Sequence, residues 1–414
     1  MMSLLRPLLL PLLLLLSLLG AGPVRAQPVE LLLWHAYRGQ EMAALDTAVA
    51  LFNDRHGDRI RVKAVPTPYD GFADKISAAI PQGTGPDLFI FSHDRLGGWV
   101  EAGGIVEPVD FWLTPDLRDR FLSKTMPAMR YRGQTFGLPF KFAAIAMVYN
   151  AAKVPNPPRT TTELLDWARA NTDSSIGRYG WAYVYNDVFF HGALMNAFGG
   201  GAFDPEAKGT LVDPILTHEG NAKAAELLLS WLNAGVLPSE PNGALVTSLF
   251  NAGKTDIIFT GPWFFGEVRP DIDVGIAPMP VVDEAGGEPL RPWMTIEGLF
   301  VSASSRHQDA AFEVADFLTM PEVARIMALQ GRQLPANRAV YDDPAVAADE
   351  ILVGYKAQGE LAVPMPNLAV MTLMWNPMEA ALRKMIKGGA TPAQALAEVQ
   401  TRLQADIDAL RKDR

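Results

Sequence analysis

The chain has 414 residues, a formal net charge of −10, hydrophobic residues at 49% and no cysteine. The acidic balance argues against nucleic acid and anionic membrane surfaces as partners, and the missing cysteines exclude disulfides, thiolate metal sites, cysteine nucleophiles and a lipidated amino terminus. Length and apolar content together support a sizeable core in about two to three domains.

Leu4-Leu5-Arg6, a leucine-dominated run from Leu8 to Leu19 broken by Pro11, and the small-residue end Val24-Arg25-Ala26 follow the order of a secretory signal peptide. The run is too short for a comfortable membrane span. Cleavage is expected after Ala26, which sets residues 1–26 apart from the fold; losing Arg6 and Arg25 takes the charge from −10 to −12. Val29 to Trp34 reads as a buried strand stopping at the aromatic corner Trp34-His35-Ala36-Tyr37-Arg38-Gly39. A helix is predicted from about Gln40 to Arg55, because Met42, Leu45, Val49 and Phe52 recur at helical spacing and Gly57 is a suitable stop. Arg59 to Val65 alternates as a strand, Phe72 to Ile80 reads as a helix, and Leu88 to Phe91 is the next strand. Strand–helix–strand alternation of this kind predicts an α/β fold of parallel β units with helices on the sheet faces.

Further on, Lys141 to Tyr149 reads as one apolar strand-like run, and Pro155-Asn156-Pro157-Pro158 makes a stiff turn. Thr161 or Thr162 is expected to cap a helix through Ala170. Asn221 to Asn233 is helical, Thr255 to Phe259 and Val274 to Ala277 are short strands, and Gly199-Gly200-Gly201 reads as a plain turn. Helices are predicted over Ala310–Leu318, Glu322–Leu329, Met378–Ile386 and Pro392–Leu410.

Most enzyme signatures are absent. There is no P-loop, no G-x-G-x-x-G and no G-x-S-x-G elbow, and none of the six histidines pairs with another at metal-ligand spacing. No metal or organic cofactor is implied. Carboxylates are plentiful, so counting alone leaves a glycosidase pair open.

Five corners carry the remaining signal. In Phe91-Ser92-His93-Asp94-Arg95 an aromatic, a carboxylate and a guanidinium converge at the end of a strand, where open α/β sheets place ligands. That combination suits a polyhydroxylated ligand, since rings meet apolar C–H faces and charged groups bond hydroxyls. The other reading is a helix start with Asp94 as its cap, and the local pattern leaves both open. Tyr37 and Arg38 lie past the end of the first strand; Asp187, Phe189 and Phe190 share a loop-like stretch; Trp263 follows a strand in Gly261-Pro262-Trp263-Phe264-Phe265. In the fifth corner Pro377 is expected in a first helical turn with Asn376 as cap, and Trp375 is either a packing staple or a ligand platform.

Gly85-Pro86-Asp87, Ser92-His93-Asp94-Arg95-Leu96-Gly97-Gly98, Tyr149-Asn150, Pro155-Asn156-Pro157-Pro158, Gly261-Pro262-Trp263 and Pro366-Asn367 with Trp375 together resemble the periplasmic solute-binding proteins of ABC importers, above all those for maltose and maltodextrin. The likeness runs from about Val29 to the carboxyl end. It implies a type II periplasmic binding fold: two α/β lobes, 27–141 plus 296–344 and 146–290 plus 350–414, with hinges near 141–146, 290–296 and 344–350 and a sugar clamped between the lobes. It also implies a non-catalytic monomer in the periplasm that delivers its sugar to the transmembrane subunits of an ABC permease. By the resemblance, Phe91 stands where the family has a tryptophan, Ser92, Asp94 and Arg95 where it has polar sugar contacts, Asp187 where it has a glutamate, and Phe189, followed by Phe190, where it has a stacking tyrosine. Trp263 and Trp375 match its two stacking tryptophans, and Asp74 sits near an acidic contact. Tyr37 and Arg38 align only across an insertion. The resemblance implies maltose or a maltodextrin as the sugar; the chain departs at Asn376 (a tyrosine in the family), Glu379 (an arginine) and Ala143 (a carboxylate), which changes the charge of the cleft and leaves trehalose or sucrose as alternatives, with a secreted glycoside hydrolase as the rival of another class. Lys141 is the neighbour that could stand in for the missing acid.

Overall fold

The computed structural model describes residues 27–204 and 210–412. The leader expected over residues 1–26 lies outside them. In chain order the principal elements are β1 (Val29–His35), α1 (Gly39–His56), β2 (Ile60–Pro66), α2 (Phe72–Ala79), β3 (Leu88–Ser92), α3 (Leu96–Ala102), β4 (Gly137–Ala143), β5 (Ala146–Asn150), α4 (Thr161–Asn171), β6 (Trp181–Ala182), α5 (Val188–Ala197), α6 (Glu219–Asn233), α7 (Gly243–Asn251), β7 (Ile257–Thr260) and β8 (Val274–Ala277). They continue with β9 (Trp293–Val301), α8 (Gln308–Leu318), α9 (Pro321–Leu329), β10 (Leu334–Pro335), α10 (Glu350–Leu361), β11 (Val363–Pro364), α11 (Met371–Ile386) and α12 (Pro392–Lys412).

Two mixed sheets organise the chain into two lobes. The first runs β10-β4-β9-β3-β1-β2, with β11 added beside β9; the second runs β8-β5-β7-β6. In the first sheet β1 is parallel to β2 and β3, as the strand–helix alternation demands, and β9 enters antiparallel between β3 and β4. The stretch expected as one strand over Lys141–Tyr149 is two: β4 closes the first sheet, Ala144 and Ile145 turn the chain, and β5 opens the second. Both halves are apolar and buried, so hydropathy alone shows no break between them.

Burial explains the other departures. The last corner is helix, not a cap: α11 starts at Met371 and carries Pro377 inside it. Met371, Met374, Met378, Leu382 and Met385 form one buried stripe at helical spacing, and that burial outweighs the backbone bond the proline removes. The cap of α4 is Thr160, one residue earlier than expected, whose hydroxyl accepts from the Glu163 N–H at 3.1 Å. The loop-like stretch at Asp187 is the start of α5.

The lobes share part of their core. One buried cluster joins Trp34, Phe72 and Phe91 of the first lobe to Val148, Ile258 and Phe264 of the second. His93 ties the junction: its Nδ1 accepts from the Ile296 N–H at 3.1 Å, and its Nε2–H donates to the Met365 carbonyl at 2.8 Å. Among the described residues no helix is long and apolar enough to cross a membrane, and no group of three or more His, Asp or Glu is placed to hold a metal ion.

Candidate functional site

The first wall begins where β3 runs out. Leu88 to Ser92 is buried throughout, and a short 3-10 turn, His93–Arg95, swings the polar residues to the sheet's carboxyl edge before α3 starts. Asp94 makes no helix cap, which corrects that reading. Its carboxylate instead accepts from the Ser92 hydroxyl at 2.5 Å and lies 3.3 Å from the Arg95 Nε, so the turn itself presents a prearranged acid–base pair. The turn needs Gly97 behind it: a Cβ there would sit 2.4 Å from the Ala369 nitrogen and the Asn367 oxygen.

Phe91 is buried under a ring that the sequence reading passed over. Tyr69 stacks on it with centroids 5.5 Å apart and planes at 20°, while Phe72 and Trp99 close its other sides. Tyr69 itself is 64% exposed. It offers the open aromatic face at this wall. Desolvation of the hydroxyl raises its phenol pKa although most of the side chain stays open, and the charges of Asp94, Glu297 and Asp187 add to the rise. The only local signal for Tyr69 was its place in a loop just past β2. Asp74 is exposed on α2.

Beneath this wall lies a buried charge network. Lys141 Nζ is 3.3 Å from Glu41, 3.4 Å from Glu297 and 2.7 Å from the Gln333 Oε1, and it stands 4.5 Å over the Tyr37 ring. The Tyr37 hydroxyl donates to Glu297 at 2.7 Å. Burial works to lower the Lys141 pKa, but the charges of Glu297 and Glu41 outweigh it and hold the ammonium above its ordinary value. Lys141 is therefore fully engaged and does not reach a ligand in place of an acid at Ala143, which is itself buried in β4.

The second wall is aromatic. Rings follow one another from Trp263 to Phe189 (6.3 Å), Phe189 to Trp293 (6.4 Å) and Trp293 to Trp375 (5.6 Å), with Phe190 edge-on to Phe189 at 5.9 Å. Trp263 folds back over its own turn, where a Cβ on Gly261 would lie 2.2 Å from the indole. Trp293, absent from the sequence reading, is the buried foundation of the row; it opens β9, a strand the periodicity did not reveal. The Trp375 Nε1–H is buried without a partner among the described residues, a donor left for something else to satisfy.

Asp187 completes this wall as the cap of α5, accepting from the Phe189 N–H at 2.7 Å. Burial pushes its pKa up to about 6, the Phe189 hydrogen bond pulls it back, and the negative charge of Glu379 pushes it further. Glu379 sits one turn below Trp375 on α11, 3.4 Å from Arg383; Asn376 is exposed on the same helix.

The lobes meet at the rim. Gly39 takes φ +53°, and a Cβ on it would be 3.3 Å from the Cα and oxygen of Gly266. Beside this contact Arg38 bonds Glu267 at 3.0 Å, so the exposed Arg38 reaches across to the other lobe. The arrangement can hold a neutral ring between aromatic faces while carboxylates accept its hydroxyls.

The model of the bacterial extracellular solute-binding protein family matches residues 36–325. A maltotriose-binding protein of Pyrococcus abyssi is 30% identical over 363 residues, 86% of this chain and 78% of the relative. A galactooligosaccharide-binding protein of Bacillus subtilis is 25% identical over 410 residues, 95% of each chain. The structure of the Thermus thermophilus maltotriose-binding protein bound with maltotriose superposes with a TM-score of 0.82 at 25% identity, covering 91% of this chain and all of that one. With its two-lobed α/β fold, a family match over most of its length and a role in binding solutes rather than transforming them, this chain belongs to the bacterial extracellular solute-binding proteins.

Proposed function

We propose that this chain is the extracytoplasmic carrier of a carbohydrate ABC importer, binding maltose or a maltodextrin between its lobes and delivering it to the permease in the membrane. The observation that carries the reading is a pair of unlike surfaces: the polar turn Ser92, Asp94 and Arg95 on the first lobe, and the row Trp263–Phe189–Trp293–Trp375 with Asp187 at its edge. Glucose rings have an apolar face for the indoles and an equatorial rim of hydroxyls for the carboxylates. Residues 1–26 act as a cleaved leader and the product works as a periplasmic monomer, with no cysteine to carry a lipid. The lobes hinge near 141–146, 290–296 and 344–350, and sugar touching both walls favours the closed form.

Calorimetric titration with maltotriose tests this. Trp263→Ala and Trp375→Ala should each cost on the order of 1–3 kcal/mol of binding free energy through lost stacking area. Unchanged affinity in both variants would remove the stacking assignment. A second reading, a carrier for galactooligosaccharides, is favoured by the relative that matches 95% of the chain. Titrating galactooligosaccharide, trehalose and sucrose beside maltotriose ranks these sugars, and chromatography of the incubated sugar shows whether any is cleaved.

A further inference from the structure

We propose that Glu297 is a specificity-determining residue of the cleft, a carboxylate that accepts a hydrogen bond from a hydroxyl of the bound sugar. The inference rests on the carbohydrate reading above and assigns a residue to that site which neither the local motifs nor the aromatic corners pointed to.

The argument starts from the strand order. β9 lies between β3 and β4, and its register sets Glu297 directly beside Ser92 on one side and Lys141 on the other. Glu297 therefore sits next to the turn that presents Asp94 and Arg95. A carboxylate has about four acceptor positions. Lys141 takes one on Oε1 at 3.4 Å, and the Tyr37 hydroxyl takes one on Oε2 at 2.7 Å. The rest have no protein donor within hydrogen-bonding distance among the described residues, and the side chain keeps 21% of its surface open where its partners Lys141 and Glu41 keep 6% and 8%.

The charge arrangement points the same way. Two glutamates share a single lysine, and the buried Glu41 and Gln333 absorb two of its donors. Glu297 is the under-compensated member of the network, and burial raises its pKa despite Lys141. A neutral donor arriving from the cleft meets that deficit without adding charge, which is what a sugar hydroxyl supplies. The Tyr37 ring, stacked on Phe140 and covered by the Lys141 ammonium, holds the carboxylate in a single orientation.

The test is a cycle between variant and ligand. Maltotriose and its singly deoxygenated analogues are titrated into the wild-type chain, Glu297→Gln and Glu297→Asp, with sugar-free melting confirming that each variant is folded. Glu297→Gln keeps an acceptor for Tyr37 and should bind maltotriose roughly 10- to 100-fold more weakly. One deoxy analogue should then bind wild type and Glu297→Gln equally, because the hydroxyl that Glu297 reads is already gone; a merely structural role would weaken every analogue alike. Glu297→Asp, with its shorter reach, should show the same pattern and carries the test alone if the glutamine variant does not fold. A uniform loss across all analogues, or no loss, overturns the role of Glu297 while leaving the carrier intact. Failure of the wild-type chain to bind maltotriose overturns both.

Discussion

Asp187 holds a carboxylate where burial disfavours its charge. With a folded pKa of about 6 against an ordinary 3.8, the folded state binds the proton more tightly than the unfolded one. Its contribution to stability is therefore most favourable below about pH 4 and is lost as pH rises through 6. Asp187→Asn keeps an acceptor for the Phe189 N–H and removes the buried charge, so at pH 7.5 the sugar-free chain should gain on the order of 2 kcal/mol of stability in urea titrations. The same change should weaken sugar binding, and wild-type affinity should fall as pH drops below about 6 while the Asn variant stays flat. Arg95 and Asp94 make the complementary case: Arg95→Ala should lower affinity with no matching loss in melting temperature, because the guanidinium is part-exposed and caps nothing.

At the scale of elements, close approaches decide what the sequence can vary. Gly97 lies against the Asn367–Ala369 backbone, which cannot yield as a side chain would, so Gly97→Ala should destabilise by about 2 kcal/mol or more in urea titration. Asn367 completes that contact by donating to the carbonyls of Ala128 and Arg130. The β1–α1–β2–α2–β3 unit was legible because its strands are short apolar runs and its helices carry a clear stripe. The strand pair at Ala144 was not, because both halves are buried and alike. α11 was read as starting late because a proline favours the first helical turn, and that local signal yields to a buried methionine stripe. Of the candidate site, Asp94 and Trp263 stood out at strand ends, Asp187 in a loop-like aromatic stretch and Trp375 before a helix start. Tyr69, Glu297 and Trp293 did not, because their role comes from register between distant strands and from rings stacked across a loop.

For the whole molecule, the rim is where a residue of one lobe comes closest to the backbone of the other. Gly39→Val adds bulk 3.3 Å from the Gly266 backbone at a φ that β-branched residues avoid. Small-angle scattering should show a larger radius of gyration, and sugar affinity should fall. Arg38→Ala removes only an exposed ion pair, worth about 0–1 kcal/mol, and should change both measurements little. The apolar cluster that runs from Phe72 through Phe91 to Ile258 and Phe264 has a consequence of another kind. Neither sheet can lose its packing without exposing side chains that belong to the other. The two lobes should therefore melt as one cooperative unit, with calorimetric and van't Hoff enthalpies that agree. Ligand held between them then raises a single transition, so one heating curve reports occupancy of the whole carrier.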